Sequence, residues 1–275
     1  MISRTTRSAK AALNPLLSWR PGVHDLAEIM LLAVALPIYY LVRGVTVTQV
    51  DEAISRGADI VSMEKSLGIF WEVELQSWIL SYQWLVKLLN WFYLFGHLPV
   101  IGTLAVWLYF WHRPEYLLMR NAVLISGAIG LVVYATFPVA PPRFLPAFGF
   151  TDTVFSQYGV SRVANPAFLR NEYAAVPSLH FGWNVLAAVA LWLASRNLAV
   201  RSLAMLVPLA TMAAVVLTAN HFILDAVFGL LAIAVGMAAA LAFRALVVRY
   251  RSRGPLASGG SGWVSWLGGV APAGR

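Results

Sequence analysis

Trp84-Leu-Val-Lys-Leu-Leu-Asn-Trp-Phe-Tyr-Leu-Phe-Gly-His-Leu-Pro-Val-Ile-Gly-Thr-Leu-Ala-Val-Trp-Leu-Tyr-Phe-Trp111 decides the fold, because how often it crosses a bilayer sets the side on which everything after it falls. It is apolar apart from Lys87, Asn90 and His97, and Gly96 and Pro99 interrupt it. Two short spans or one long kinked span both fit. At about 1.5 Å per residue a single helix would be about 42 Å long, acceptable if tilted.

Charge resolves the choice. The chain is 60% hydrophobic and 12% charged, where a soluble domain would be about one quarter charged, so its solvent must largely be lipid. Around the quoted stretch lie Leu26–Val45, Leu117–Phe137, Ser178–Ala194, Leu203–Thr218 and His221–Ala245, each apolar enough to span. Arginines cluster in residues 1–24, Arg113–Arg120, Arg196–Arg201 and Arg244–Arg253. Positive loops belong in the cytoplasm, and all four share that side only if Trp84–Trp111 crosses once. The expectation is an all-α bundle of six transmembrane helices with both termini inside. The net charge of +8 is then a topology signal, and nucleic acid is not an expected partner.

Domain organisation follows. Residues 1–24 read as a basic cytoplasmic tail. Residues 25–83 read as a signal-anchor helix, retained for want of a small-residue cleavage pattern, and an interfacial amphipathic segment rich in Asp, Glu and Trp. Residues 84–246 form the membrane core, and 247–275 a disordered Gly/Ser-rich tail. With no cysteine, disulfides, thiolate metal sites and a cysteine nucleophile are excluded.

Two histidines sit at the mouths of apolar segments, in Ala175-Val-Pro-Ser-Leu-His180 and in Asn220-His-Phe-Ile-Leu-Asp225. In the six-span arrangement both lie at the outer face, together with Arg143 from the end of span three. His221 and Asp225 are spaced to share a helix face, so the carboxylate can hold one ring nitrogen protonated and turn the other outward as a nucleophile. His180 can protonate a leaving oxygen. Ser178 and the free N–H groups of a helix start make an anion site, and the Arg143 guanidinium suits phosphate oxygens. Together they describe phosphoryl transfer through a phosphohistidine, needing no metal and no cofactor.

Each residue has a plainer reading. Ser178 can be only a helix cap. His221 and Asp225 can be a structural bond or part of a proton relay, and with His180 they could ligate a metal, although further ligands and typical spacings are missing. Arg143 can anchor at headgroups, and Lys87 can snorkel. His97 and Asn184 read as packing or helix-bonding residues.

Pro177-Ser-Leu-His180, His221-x-x-x-Asp225 and the upstream Arg143 resemble the three signatures of the type 2 phosphatidic acid phosphatase superfamily, K-x6-R-P, P-S-G-H and S-R-x5-H-x3-D, over residues 84 to 246. The resemblance implies a six-helix membrane core with His221 as nucleophile and His180 as acid. It departs at Thr136 for lysine, Phe144 for proline, Leu179 for glycine, and Ala214 and Val215 for the Ser-Arg pair. These departures are similar to the inositolphosphotransferase-like branch, which contains fungal inositol phosphorylceramide synthase and bacterial relatives. Phe137-Pro-Val-Ala-Pro-Pro-Arg143 also resembles that branch. The expected function is a lipid phosphatase or phosphotransferase at the extracytoplasmic face of a bacterial plasma membrane. Its partners are a membrane lipid phosphate and either water or an alcohol acceptor such as inositol or a lipid alcohol. A lipid-binding or transport protein that keeps the fold is the non-enzymatic alternative.

Overall fold

The computed structural model describes residues 19–45, 49–154 and 172–253. Those residues are mostly helical, with no strand among them beyond one isolated bridge pairing Val139 with Ala174. Helix α1 spans Val23–Val45, α2 Val50–Leu67 and α3 Glu72–Leu80. Helix α4, Gln83–Trp91, passes through a π-helical turn at Phe92–Gly96 into α5, His97–Trp111. Then come α6, Arg113–Thr136, two short 3-10 turns at Pro142–Phe144 and Pro146–Phe148, α7, Leu179–Ala194, α8, Leu198–Leu217, and α9, Ile223–Arg253.

Among the described residues, four helical runs are long and apolar enough to cross a membrane: Gln83–Trp111, Arg113–Thr136, Leu198–Leu217 and Ile223–Tyr250. The stretch around Gly96 and Pro99 is therefore one continuous run, its irregularity absorbed by the π turn. The charge pattern predicts six spans, and these four are the ones that length and composition support among the described residues. The first expected span falls within α1, whose last residues have side chains outside the described ones. The fourth, α7, has 16 residues, or about 24 Å at 1.5 Å each, short of a hydrocarbon core of about 30 Å. Other boundaries also move. Helix α9 runs to Arg253, past the expected Ala245, and starts at Ile223, so His221 lies before it rather than on it. Most of the basic tail, the middle of the loop after Val154 and residues 254–275 lie outside the described residues.

Local sequence explains the element ends. Ser178 caps α7, accepting from Phe181 N at 3.5 Å, and Asn197 caps α8, accepting from Ala199 N at 2.9 Å. Pro114 opens α6, where the missing N–H is harmless. Gly68 ends α2 at φ +69°, a left-handed cap whose N–H returns to Glu64 O and Lys65 O.

Packing then brings the helices carrying the histidines together. A Cβ on Gly182 of α7 would stand 2.9 Å from Ile233 and 3.1 Å from the Gly229 carbonyl oxygen, so α7 and α9 approach backbone to backbone. Helix α2 lies against the Pro-rich loop after α6: Ala140 N donates to Ala53 O at 2.9 Å, and Arg56 stacks on Phe137 at 4.2 Å. Ile60, Val61, Val139, Leu145, Phe150, Ala175, Phe222 and Leu224 close one core at this end. Phe222 is fully buried there, which stabilises by about 1.5–3 kcal/mol. At the opposite end of α6, Arg120 Nη1 meets Glu28 Oε2 at 2.6 Å and Tyr116 donates to Glu28 Oε1 at 2.6 Å. This buried pair ties α1 to α6.

Candidate active site

His221 occupies the turn between α8 and α9. The turn closes when Asn220 N and His221 N both donate to Val215 O, at 2.8 and 3.0 Å, with Ala219 in the left-handed region at φ 54°. His221 is 3% exposed and Asp225 fully buried. The ring nitrogen Nδ1 faces two acceptors, Ala175 O at 2.9 Å and Asp225 Oδ2 at 3.1 Å. With acceptors on both sides the proton belongs on Nδ1, leaving the lone pair on Nε2. Nε2 is buried and has no hydrogen-bond partner among the described residues.

Asp225 reaches His221 differently from the expected pairing along a helix face. It stands in the first turn of α9, and its Oδ2 turns back to accept from Phe222 N at 2.9 Å as well as from His221. This is the return half of a capping box, with an aspartate in place of the usual glutamate. The same residue therefore starts the helix and sets the imidazole tautomer. Its backbone oxygen accepts from Ser178 N at 2.9 Å, which pins the start of α7 to the start of α9.

His180, in the first turn of α7, has its ring centroid 5.7 Å from that of His221. Two aromatic rings from the π turn and its continuation pack on it, Tyr93 at 4.8 Å and His97 at 4.3 Å. His97 Nδ1 donates to Tyr93 O at 3.1 Å. Four residues apart, both lie on the face that meets α7. His97 is thus a packing and helix-bonding residue, and what it packs on is His180. Asn184 is a helix-bonding residue: its amide donates to His180 O at 2.9 Å.

Arg143 arrives on the first 3-10 turn. Its backbone N–H donates to Ala219 O at 2.9 Å, its Nη1 donates to the Asn220 side-chain oxygen, and its guanidinium lies 4.8 Å from the Phe144 ring centroid. Asn220 Nδ2 in turn donates to Thr218 Oγ1 at 2.6 Å. Arg143 is held beside His221 through its neighbour. Ser178 is fully buried and acts as the α7 cap. Lys87 is exposed. The five residues read from the sequence, Arg143, Ser178, His180, His221 and Asp225, all gather at one end of the bundle.

The sequence departures have packing explanations. Leu179, in the glycine's place, is buried where a Cβ on Gly130 would stand 2.6 Å from Leu179 Cδ1, so glycine on α6 makes room for leucine on α7. Ala214 and Val215 are core residues. Thr136, in the lysine's place, bonds back to Val132 O at 2.8 Å. Among the described residues, no group of three or more His, Cys, Asp or Glu is arranged to hold a metal ion.

Sequence reasoning missed Tyr93, Asn220, Glu64 and Glu72. Ile223 N donates to Glu72 Oε1 at 2.9 Å and Leu224 N to Glu64 Oε1 at 2.8 Å, from helices expected to lie along the interface.

A family model described as the PAP2 superfamily matches residues 58–240. Neither the curated proteins nor the solved structures contain a significant match.

Proposed function

The chain belongs to the PAP2 superfamily, and from that membership and the histidine geometry we propose that it is a membrane-embedded histidine phosphotransferase or phosphatase acting on a lipid phosphate. Members of the superfamily are generally phosphatases, which supports an enzyme. The observation that carries the reading is the imidazole of His221, whose Nδ1 is fixed by Asp225 and Ala175 O while the unpartnered Nε2 lies beside His180.

In the proposed reaction, Nε2 of His221 forms a bond to phosphorus as the bond from phosphorus to the lipid oxygen breaks. The imidazolium of His180 gives its proton to that oxygen. Neutral His180 then takes a proton from water or an alcohol, whose oxygen attacks phosphorus and releases His221. Asp225 stabilises the charge that His221 acquires. Arg143 and the N–H groups opening α7 bind the phosphoryl oxygens, most strongly as the transition state spreads charge onto them.

The proposed setting is a bacterial plasma membrane crossed six times, with both termini in the cytoplasm and the histidines at the outer face. The arginine clusters support it. Water gives a phosphatase, whereas inositol or a lipid alcohol gives the headgroup transferase suggested by the inositolphosphotransferase-like departures. Purified protein is incubated with phosphatidic acid and with inositol-bearing phospholipids, with and without free inositol. Free phosphate as the sole product eliminates the transferase. His221→Ala is expected to abolish turnover while the protein stays folded, and unchanged turnover in that variant removes the catalytic assignment.

A further inference from the structure

Three successive backbone N–H groups at the start of α9 are met by three different buried carboxyl groups. Phe222 N donates to Asp225 Oδ2, Ile223 N to Glu72 Oε1 and Leu224 N to Glu64 Oε1, at 2.9, 2.9 and 2.8 Å. Glu64, in the last turns of α2, and Glu72, the first residue of α3, are both fully buried. A helix start leaves its first N–H groups without intrahelical partners and carries partial positive charge, so acceptors there are favourable. One capping side chain is the usual provision. Here two further carboxyls come from elements more than a hundred residues earlier.

Three charged carboxylates could not share so small an apolar space. The Glu64 carboxyl is pushed up to about 9, chiefly by burial and then by its hydrogen bond with Glu72, with the charges of Glu72 and Asp225 adding and the Leu224 N–H opposing. Burial therefore favours the protonated form of Glu64, whose Oε1 accepts from Leu224 N. The titratable groups facing it are Glu72 from α3 and Asp225 from α9, the latter joined to His221.

We infer that Glu64 and Glu72 are positioning residues of the histidine site: two buried carboxyl groups that together grip the first turn of α9 and so fix Asp225 and the ring of His221. The catalytic part of this inference rests on His221 being the group that attacks phosphorus. Its geometric part does not. His221 lies outside the helix, so its place depends on where the helix begins. Without the grip, the first turn of α9 frays and Asp225 Oδ2 loses its alignment with Phe222 N and His221 Nδ1.

The test compares full-length wild type with Glu64→Ala and Glu64→Gln. The glutamine keeps both an acceptor for Leu224 N and a donor toward Glu72. Hydrolysis of phosphatidic acid should fall at least about tenfold in kcat for E64A with KM changed less than about threefold, and E64Q should restore most of the loss. The wild type should lose kcat as pH rises through about 9, and E64Q should lack that limb. Thermal unfolding gives a second readout. A carboxyl raised from 4.5 to about 9 contributes stability that is fully present below about pH 4.5 and lost as pH climbs through about 9, a slope E64Q should abolish. Modification of His221 by diethyl pyrocarbonate, followed by mass spectrometry, should be several-fold faster in E64A than in wild type or E64Q.

Wild-type kcat in E64A, or a wild-type pH profile in E64Q, overturns the inference. If wild type hydrolyses no lipid phosphate while His221 modification and the unfolding slope respond as stated, the functional reading fails and the positioning role stands. If neither responds, the positioning role fails whatever the activity. Should E64A not fold, E64Q alone decides, through its two pH profiles.

Discussion

Gly229 faces the backbone of Ser178 so closely that a Cβ on Gly229 would stand 2.4 Å from the Ser178 carbonyl oxygen. No rotamer change can relieve that contact, because both partners are backbone. Gly229→Ala must therefore separate α7 from α9, and with them His180 from His221. We expect it to cost about 1–3 kcal/mol as overpacking does and to lower kcat at least about tenfold through the lost alignment. Gly182→Ala meets Ile233 Cγ2 at 2.9 Å and the Gly229 carbonyl oxygen at 3.1 Å, a smaller overlap than 2.4 Å, and should be milder. Activity and thermal unfolding of the two purified variants, measured side by side, check the ordering.

Asp225→Asn keeps the shape of the side chain and changes what it can do for His221. The amide oxygen can still accept from Phe222 N and Nδ1, but a neutral side chain no longer stabilises the charge that His221 acquires. Turnover should fall by about 10²–10⁴, with KM little altered. A loss smaller than about threefold would show that the charge of Asp225 does not assist His221.

Arg120→Met leaves Glu28 buried without its cation. Breaking a buried pair from one side costs about 3–5 kcal/mol, more than the pair itself contributes, because an uncompensated charge remains. Glu28→Gln combined with Arg120→Met should recover much of that loss. Urea or thermal unfolding in detergent reads both, and equal destabilisation by the single and double variants would contradict the desolvation argument.

The six-span topology predicts that Thr151→Cys and Leu198→Cys label from opposite sides of the membrane. The absence of native cysteines makes the background clean. Labelling of both from one side of intact cells would defeat the arrangement.

How much of this was legible in the sequence varies with distance along the chain. His180, His221 and Asp225 stand out because ionisable groups are costly in apolar surroundings and so announce themselves. The single helical run through Pro99 followed from charge placement. The place of His221 ahead of α9 did not, since Asp225 as a returning cap looks the same in sequence as Asp225 one turn along a helix. Glu64 and Glu72 were hidden for another reason. Their segment mixes acids with tryptophans, as a wetted membrane surface does, and the N–H groups they serve are 160 and 151 residues away. No periodicity records such a pairing. Tyr93 and His97 are four apart, the ordinary spacing of one helix face, but nothing in the sequence says that this face is the one α7 meets.

Those long separations also order events during synthesis. Glu64 and Glu72 are translated and placed well before residues 222–224 exist, and until then neither carboxyl has the α9 N–H group it serves in the finished protein. Buried polar groups wait poorly, because each is costly without a partner. The last helix therefore arrives as the piece that releases a held tension. A truncated chain ending before Ile223 keeps two acids with no helix to receive them, and it should be the form that the cell's quality control removes first.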